Sequence, residues 1–126
     1  MTKYNALIVE DSQLMRHLLA VSVSRLKDIS FDEADDGLAA IKLLSVKQYD
    51  IIIADINMPV MDGLKLVKHV RQDARHKDIP VIIVSTEGDA DDVQRARQLG
   101  VQAYLTKPIT GSEITETIEE LLRLNR

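Results

Sequence analysis

Apolar residues recur along this chain with two alternating spacings. Residues 4–10, YNALIVE, form a short, mostly apolar run, and SQLMRHLLAVSVSRL (12–26) then sets Met15, Leu19, Ser22 and Leu26 at helical spacing. ISFDEA (29–34) reads as a strand, and GLAAIKLLSVK (37–47) as a helix with Leu38, Ile41 and Leu44 on one face. YDIIIAD (49–55) is the third strand, and the helix after it starts at about Gly63 with Leu64, Val67 and Val70 on one side. IPVIIVS (79–85) is the fourth strand, followed by a short polar helix, DADDVQRARQLG, closed by Gly100 at C′. VQAYLT (101–106) is the fifth strand. The last helix carries a stripe of Ile114, Ile118, Leu121 and Leu122, with Thr110 and Glu113 spaced as a capping box.

Five strand–helix units in a row, without a linker, repeat or low-complexity segment, predict an α/β fold. Strands this uniformly apolar belong in a parallel sheet with helices on both faces, a doubly wound (βα)5 arrangement. Such open sheets bind ligands at the carboxyl ends of their strands, beside a topological switch point. The residues just after each strand are therefore the ones to inspect.

Composition narrows the class. At 126 residues the chain is the size of one domain, and 45% hydrophobic with 29% charged residues describes an ordinary globular protein. The net charge of −4, with both signs mixed, gives no reason to expect a nucleic-acid or anionic membrane surface. The absence of cysteine excludes disulfides and thiolate metal sites. No apolar run approaches a membrane span and the N-terminus lacks a signal-peptide core, so a cytoplasmic location is expected.

At the strand ends stand Glu10 and Asp11, then Asp55, then Ser85 and Thr86, then Thr106 and Lys107. Asp55 closes an apolar run without a break, and a buried charge is costly unless something pairs with it. Three carboxylates in one crevice repel, and a bound cation is the usual way to keep them ionised. An all-oxygen site with few protein ligands suits Mg²⁺, which retains waters and leaves room for phosphate oxygens. Asp55 is thus a candidate metal ligand and nucleophile.

Each residue also has a plainer reading. Asp11 or Ser12 can cap the first helix, Asp55 can be a turn residue, and Asp62-Gly63 reads as turn and cap chemistry. Ser85 and Thr86 taken singly are loop hydroxyls, and Lys107 an exposed loop lysine. His17, His69 and His76 read as structural or solvated. What outweighs these readings is their conjunction at one end of one sheet.

LIVEDSQLMR, DINMPVMDG, PVIIVSTEG and AYLTKPI resemble, in order and spacing, the four motif blocks of the bacterial two-component response-regulator receiver domain. The match spans essentially the whole chain, 1–126, as a single receiver with no output domain within these residues. It implies a flavodoxin-like three-layer sandwich with strand order 2-1-3-4-5. It implies Asp55 as phosphoacceptor, and Mg²⁺ held by Asp11, Asp55 and the backbone carbonyl of Asn57, with Glu10 acting at the same ion. Ser85 takes the switch-hydroxyl position, Lys107 the phosphate-pairing position and Tyr104 the aromatic position that follows the switch. The family's Lys107–Pro108 bond is cis, whereas an X–Pro bond taken alone is more often trans.

The implied activity is phosphoryl transfer from a sensor histidine kinase or phosphotransfer protein to Asp55, followed by autophosphatase hydrolysis of the acyl phosphate. Neither step is conventional turnover. The message leaves through the fourth helix, fifth strand and fifth helix to a downstream protein target. Met15-Arg16, Asn57 and Glu87 resemble the chemotaxis branch. Two departures stand out: Glu10 replaces the commoner Asp, and Thr86 follows the switch residue where many relatives carry Ala or Gly.

Other classes fit less well. A haloacid-dehalogenase-type phosphatase wants a second acid two residues after its nucleophile, where Asn57 stands. A flavodoxin-like carrier needs a phosphate loop where Glu10-Asp11 would repel phosphate. The alternatives nearest the receiver reading are the receiver part of a longer regulator, and a receiver-like binding module that is never phosphorylated.

Overall fold

The computed structural model describes residues 4–86 and 90–124. Strands β1 (Tyr4–Val9), β2 (Ile29–Ala34), β3 (Ile51–Asp55), β4 (Val81–Ser85) and β5 (Ala103–Thr106) alternate with five helices. These are α1 (Gln13–Ser24), α2 (Gly37–Val46), α3 (Gly63–Gln72), α4 (Ala90–Gln98) and α5 (Gly111–Leu124). The strands pair in parallel in the order β2-β1-β3-β4-β5. Every residue of β3 and β4 is buried, as a sheet covered on both faces requires.

The strand period of two divides the core. Leu7, Val9, Ile52, Ala54, Val81 and Ile83 face the layer of α2, α3 and α4. Ala6, Ile8, Ile51, Ile53, Ile82 and Val84 face α1 and α5. Each fully buried Leu or Ile contributes roughly 1.5–3 kcal/mol, so the two layers outweigh a few poorly solvated groups at the strand ends.

Helix starts are chemically marked. Ser12 caps α1 by accepting from the Met15 N–H at 3.2 Å, and Asp62 caps α3 by accepting from the Lys65 N–H at 2.9 Å. Asp36 does the same for α2. Thr110 and Glu113 form the expected capping box, each accepting from the other's N–H at 3.1 Å. Gly100 has φ +75°, the left-handed value its C′ place demands.

One face needs correction. Leu38 is 49% exposed, and the buried line of α2 is Gly37, Ala40 and Leu44. A side chain at Gly37 would collide with Met61, so the first turn of α2 sits against the β3–α3 loop and rotates Leu38 outward. The strands are also shorter than the apolar runs: Glu10, Tyr49-Asp50, Ile79-Pro80 and Val101-Gln102 flank them. Among the described residues, no helix is long and apolar enough to cross a membrane.

Candidate functional site at the strand ends

β1 and β3 are neighbours, but the chain leaves β1 for β2 on one side and returns to β3 on the other. That divergence opens the crevice. The register pairs Val9 with Ala54, so Glu10 and Asp55 emerge side by side. Glu10 is fully buried and Asp55 nearly so, while Asp11 is exposed at the mouth. One oxygen from each of the three lies within 4.8 Å of the others. Because Ser12 caps α1, the carboxylate of Asp11 is spared for the crevice.

Lys107 enters from β5. Its Nζ donates to Glu10 Oε1 at 3.0 Å and to Asp55 Oδ1 at 3.4 Å. Its backbone N–H donates to the Ser85 carbonyl at 2.6 Å, and its peptide to Pro108 is cis. Burial opposes the charge on Lys107, yet the Glu10 hydrogen bond and the fields of Asp55 and Glu10 outweigh it, holding its pKa above the ordinary value. Glu10 moves further. Burial pushes it up to about 7, with the Asp55 charge adding to the rise and the Lys107 and Ser12 hydrogen bonds resisting it. Three carboxylates thus meet one ammonium there among the described residues.

Ser85 ends β4 beside β3, buried, and pairs with Thr106 in the register. Thr86 follows it and is exposed. Tyr104 lies half-buried on β5 opposite Ile83, packed on the α2–α4 side of the sheet. Asn57 is exposed in the loop two residues past Asp55. Glu87 lies outside the described residues.

Three supports were not legible in advance. A Cβ on Gly63 would run into the Asp55 carbonyl oxygen and lie 2.9 Å from Ile56 Cα, so only glycine lets α3 start against the candidate nucleophile. Its N–H also donates to Ile56 O at 3.0 Å. Asp-Gly signalled a cap but not this contact. Arg16 Nη1 donates to the Glu10 carbonyl at 2.9 Å, fixing the β1–α1 loop. Val60 has φ +69° at the centre of a turn closed by Met61 N–H to Pro59 O at 2.7 Å. For a β-branched residue that conformation costs roughly 1–3 kcal/mol, and the turn within the β3–α3 loop holds it.

This arrangement can hold a hard cation, present one carboxylate as nucleophile and neutralise a bound anion with one ammonium. Comparison with known proteins agrees in family. The model of the response regulator receiver domain matches residues 6–119. The chemotaxis protein CheY1 of Helicobacter pylori is 40% identical over 120 residues, 94% of this chain and 97% of that protein. The structure of CheY4 of Vibrio cholerae superposes with a TM-score of 0.88 at 28% identity, covering 95% of this chain and 99% of that one. A receiver domain of a Pseudomonas aeruginosa sensor histidine kinase, described with magnesium in its cleft, shares the fold at a TM-score of 0.86 and 22% identity. It covers 97% of this chain and 99% of its own.

Proposed function

The chain belongs to the response-regulator receiver family and is a phosphoryl-accepting signalling switch; from that premise we propose that Asp55 is its phosphoacceptor. The observation that carries this reading is the convergence of Glu10, Asp11 and Asp55 with Lys107, the only ammonium paired with them among the described residues. Receivers of this kind work with histidine kinases and downstream targets. The histidine kinase supplies a phosphohistidine, and the named relatives suggest chemotaxis as the pathway.

In the reaction, an Asp55 oxygen attacks phosphorus as the P–N bond to the donor imidazole breaks. The bonding pair leaves with that ring, and an acyl phosphate forms on Asp55. Such transfer asks a protein mainly for position and charge neutralisation. Lys107, already 3.4 Å from Asp55, turns to a phosphoryl oxygen and so withdraws from Glu10. Glu10, Asp11, Asp55 and the Asn57 carbonyl are the residues that would hold Mg²⁺. When bound, the ion supplies charge neutralisation for the carboxylates and the incoming phosphoryl oxygens.

The Ser85 hydroxyl donates to a phosphoryl oxygen once one is present, a contact the unmodified protein lacks. That difference is what a two-state switch requires. Tyr104 follows Ser85 inward, and the readout emerges on α4, β5 and α5. The test is intact-mass measurement with acetyl phosphate and Mg²⁺. One added phosphoryl is expected, lost in Asp55→Asn. Labelling that survives the substitution places the acceptor elsewhere. No labelling of the wild type favours the unphosphorylated binding module.

A further inference from the structure

α4 is shallowly embedded: of its nine residues, only Ala96 is fully buried. Its C-terminal end is nevertheless tightly tied. Gly100 N–H donates to Arg97 O and Val101 N–H to Ala96 O, both at 3.0 Å, which is the Schellman arrangement. The carbonyls of Leu99 and Gly100 lie beyond that motif, and one side chain collects both. Arg71, in the last turn of α3, donates from Nε to Leu99 O at 2.8 Å and from Nη2 to Gly100 O at 3.0 Å. From Nη1 it reaches Ile79 O at 2.7 Å and Lys77 O at 3.1 Å, in the α3–β4 loop.

Four of its five N–H bonds therefore go to main-chain carbonyls of two segments. Burial draws the Arg71 pKa down, and the field of Asp78 draws it back. A lysine keeps the charge but cannot hold this fork. The position at α4's C-terminus also suits a cation electrostatically.

We propose that Arg71 is a positioning residue of the switch, pinning the C-terminal end of α4 so that phosphorylation swings the helix about that end. Ser85 closes the strand that leads into α4, so the signal enters at the opposite end from the pin. The pin stands on the hydrogen bonds alone, and the swing rests on Asp55 as phosphoacceptor.

Hydrogen exchange on the full chain tests the pin without any phosphodonor. In Arg71→Met the amides of Leu99, Gly100 and Val101 should exchange at least about tenfold faster, with Ile52 and Ile53 changing less than about twofold. Arg71→Lys, the milder variant should Met prevent folding, should match it. Full protection in Arg71→Lys overturns the fork, and uniform acceleration across sheet and helix reduces Arg71 to a global stabiliser. The chain has no cysteine, so single nitroxides at Gln94→Cys and Gln98→Cys report on α4 cleanly. On treatment with acetyl phosphate and Mg²⁺ the wild-type spectrum should change at 94 and hold at 98, and adding Arg71→Met should free both. Equal change at both sites in the wild type overturns the swing. Intact mass taken in parallel separates the two ideas: if Asp55 takes no phosphoryl, the functional reading and the swing fail together, while exchange still decides the pin.

Discussion

Two polar clusters lie towards opposite ends of β3, and they treat their carboxylates in opposite ways. Before β3, Asp32 accepts from Lys47 Nζ at 2.9 Å and from the Tyr49 hydroxyl at 2.7 Å. Those bonds, Lys47 first, hold its pKa below the ordinary carboxylate value despite some burial. His76, buried, stands with Nδ1 3.0 Å from Asp73, and its Nε2 accepts from the Tyr49 N–H at 3.2 Å. The His76 bond leads in drawing the Asp73 pKa down. After β3, Glu10 is driven up to about 7, chiefly by burial. The first cluster is matched internally and braces the fold. In the second, three carboxylates share one lysine among the described residues, the imbalance expected of the proposed cation and phosphoryl site. Buried polarity alone does not mark function, but an unbalanced excess of one sign does.

Substitutions can break this contrast. The largest expected effect is at the braced end. His76→Leu leaves the Tyr49 N–H buried without its acceptor and should cost about 2 kcal/mol in a urea melt. Labelling by acetyl phosphate should be unchanged; a matching loss of labelling would mean that the two ends are not separable.

Tyr49→Phe removes one donor from Asp32 and should cost about 1 kcal/mol at neutral pH, since solvent screening at half-exposed Asp32 keeps the bond below full charge-assisted strength. The sign follows from the lowered pKa of Asp32. Its stabilisation is present above the unfolded carboxylate value and is lost as pH falls through the lower folded value. The penalty of Tyr49→Phe should therefore shrink below about pH 4, and a pH-independent penalty would contradict the role of Asp32.

The smallest stability effect belongs to Thr86, exposed beside buried Ser85. Thr86→Ala should shift stability by less than about 0.5 kcal/mol. It should also speed loss of the phosphoryl group, because a branched side chain stiff at χ1 obstructs the approach of water. Decay followed by intact mass decides this. Slower decay would make the hydroxyl a holder of water, and equal rates would make Thr86 a bystander.

Much of this was legible in sequence for a physical reason. Strands covered on both faces leave unbroken apolar runs, and an acid ending such a run is conspicuous. Glu10 and Asp55 stand out on that ground, Ser85 and Lys107 as the polar residues where β4 and β5 end, and the strand order sets all four at one end of the sheet. The sequence does not place Leu38 correctly on α2 because a helix apolar nearly all round has no clear period; contact between Gly37 and Met61 sets its rotation. Arg71 and His76 stay hidden because their work is at long range. Arg71 meets Leu99 across 28 positions and His76 meets Tyr49 across 27, and no local pattern encodes either contact.

The central claim is that the negative excess after β3 is held for a divalent cation, and Mg²⁺-linked stability tests it most directly. Urea melts of the wild type with Mg²⁺ at ten times its dissociation constant should gain about 1.4 kcal/mol, and Asp11→Ala should remove most of that gain. An unchanged wild-type midpoint at millimolar-range Mg²⁺, or a gain that Asp11→Ala leaves whole, would contradict the account.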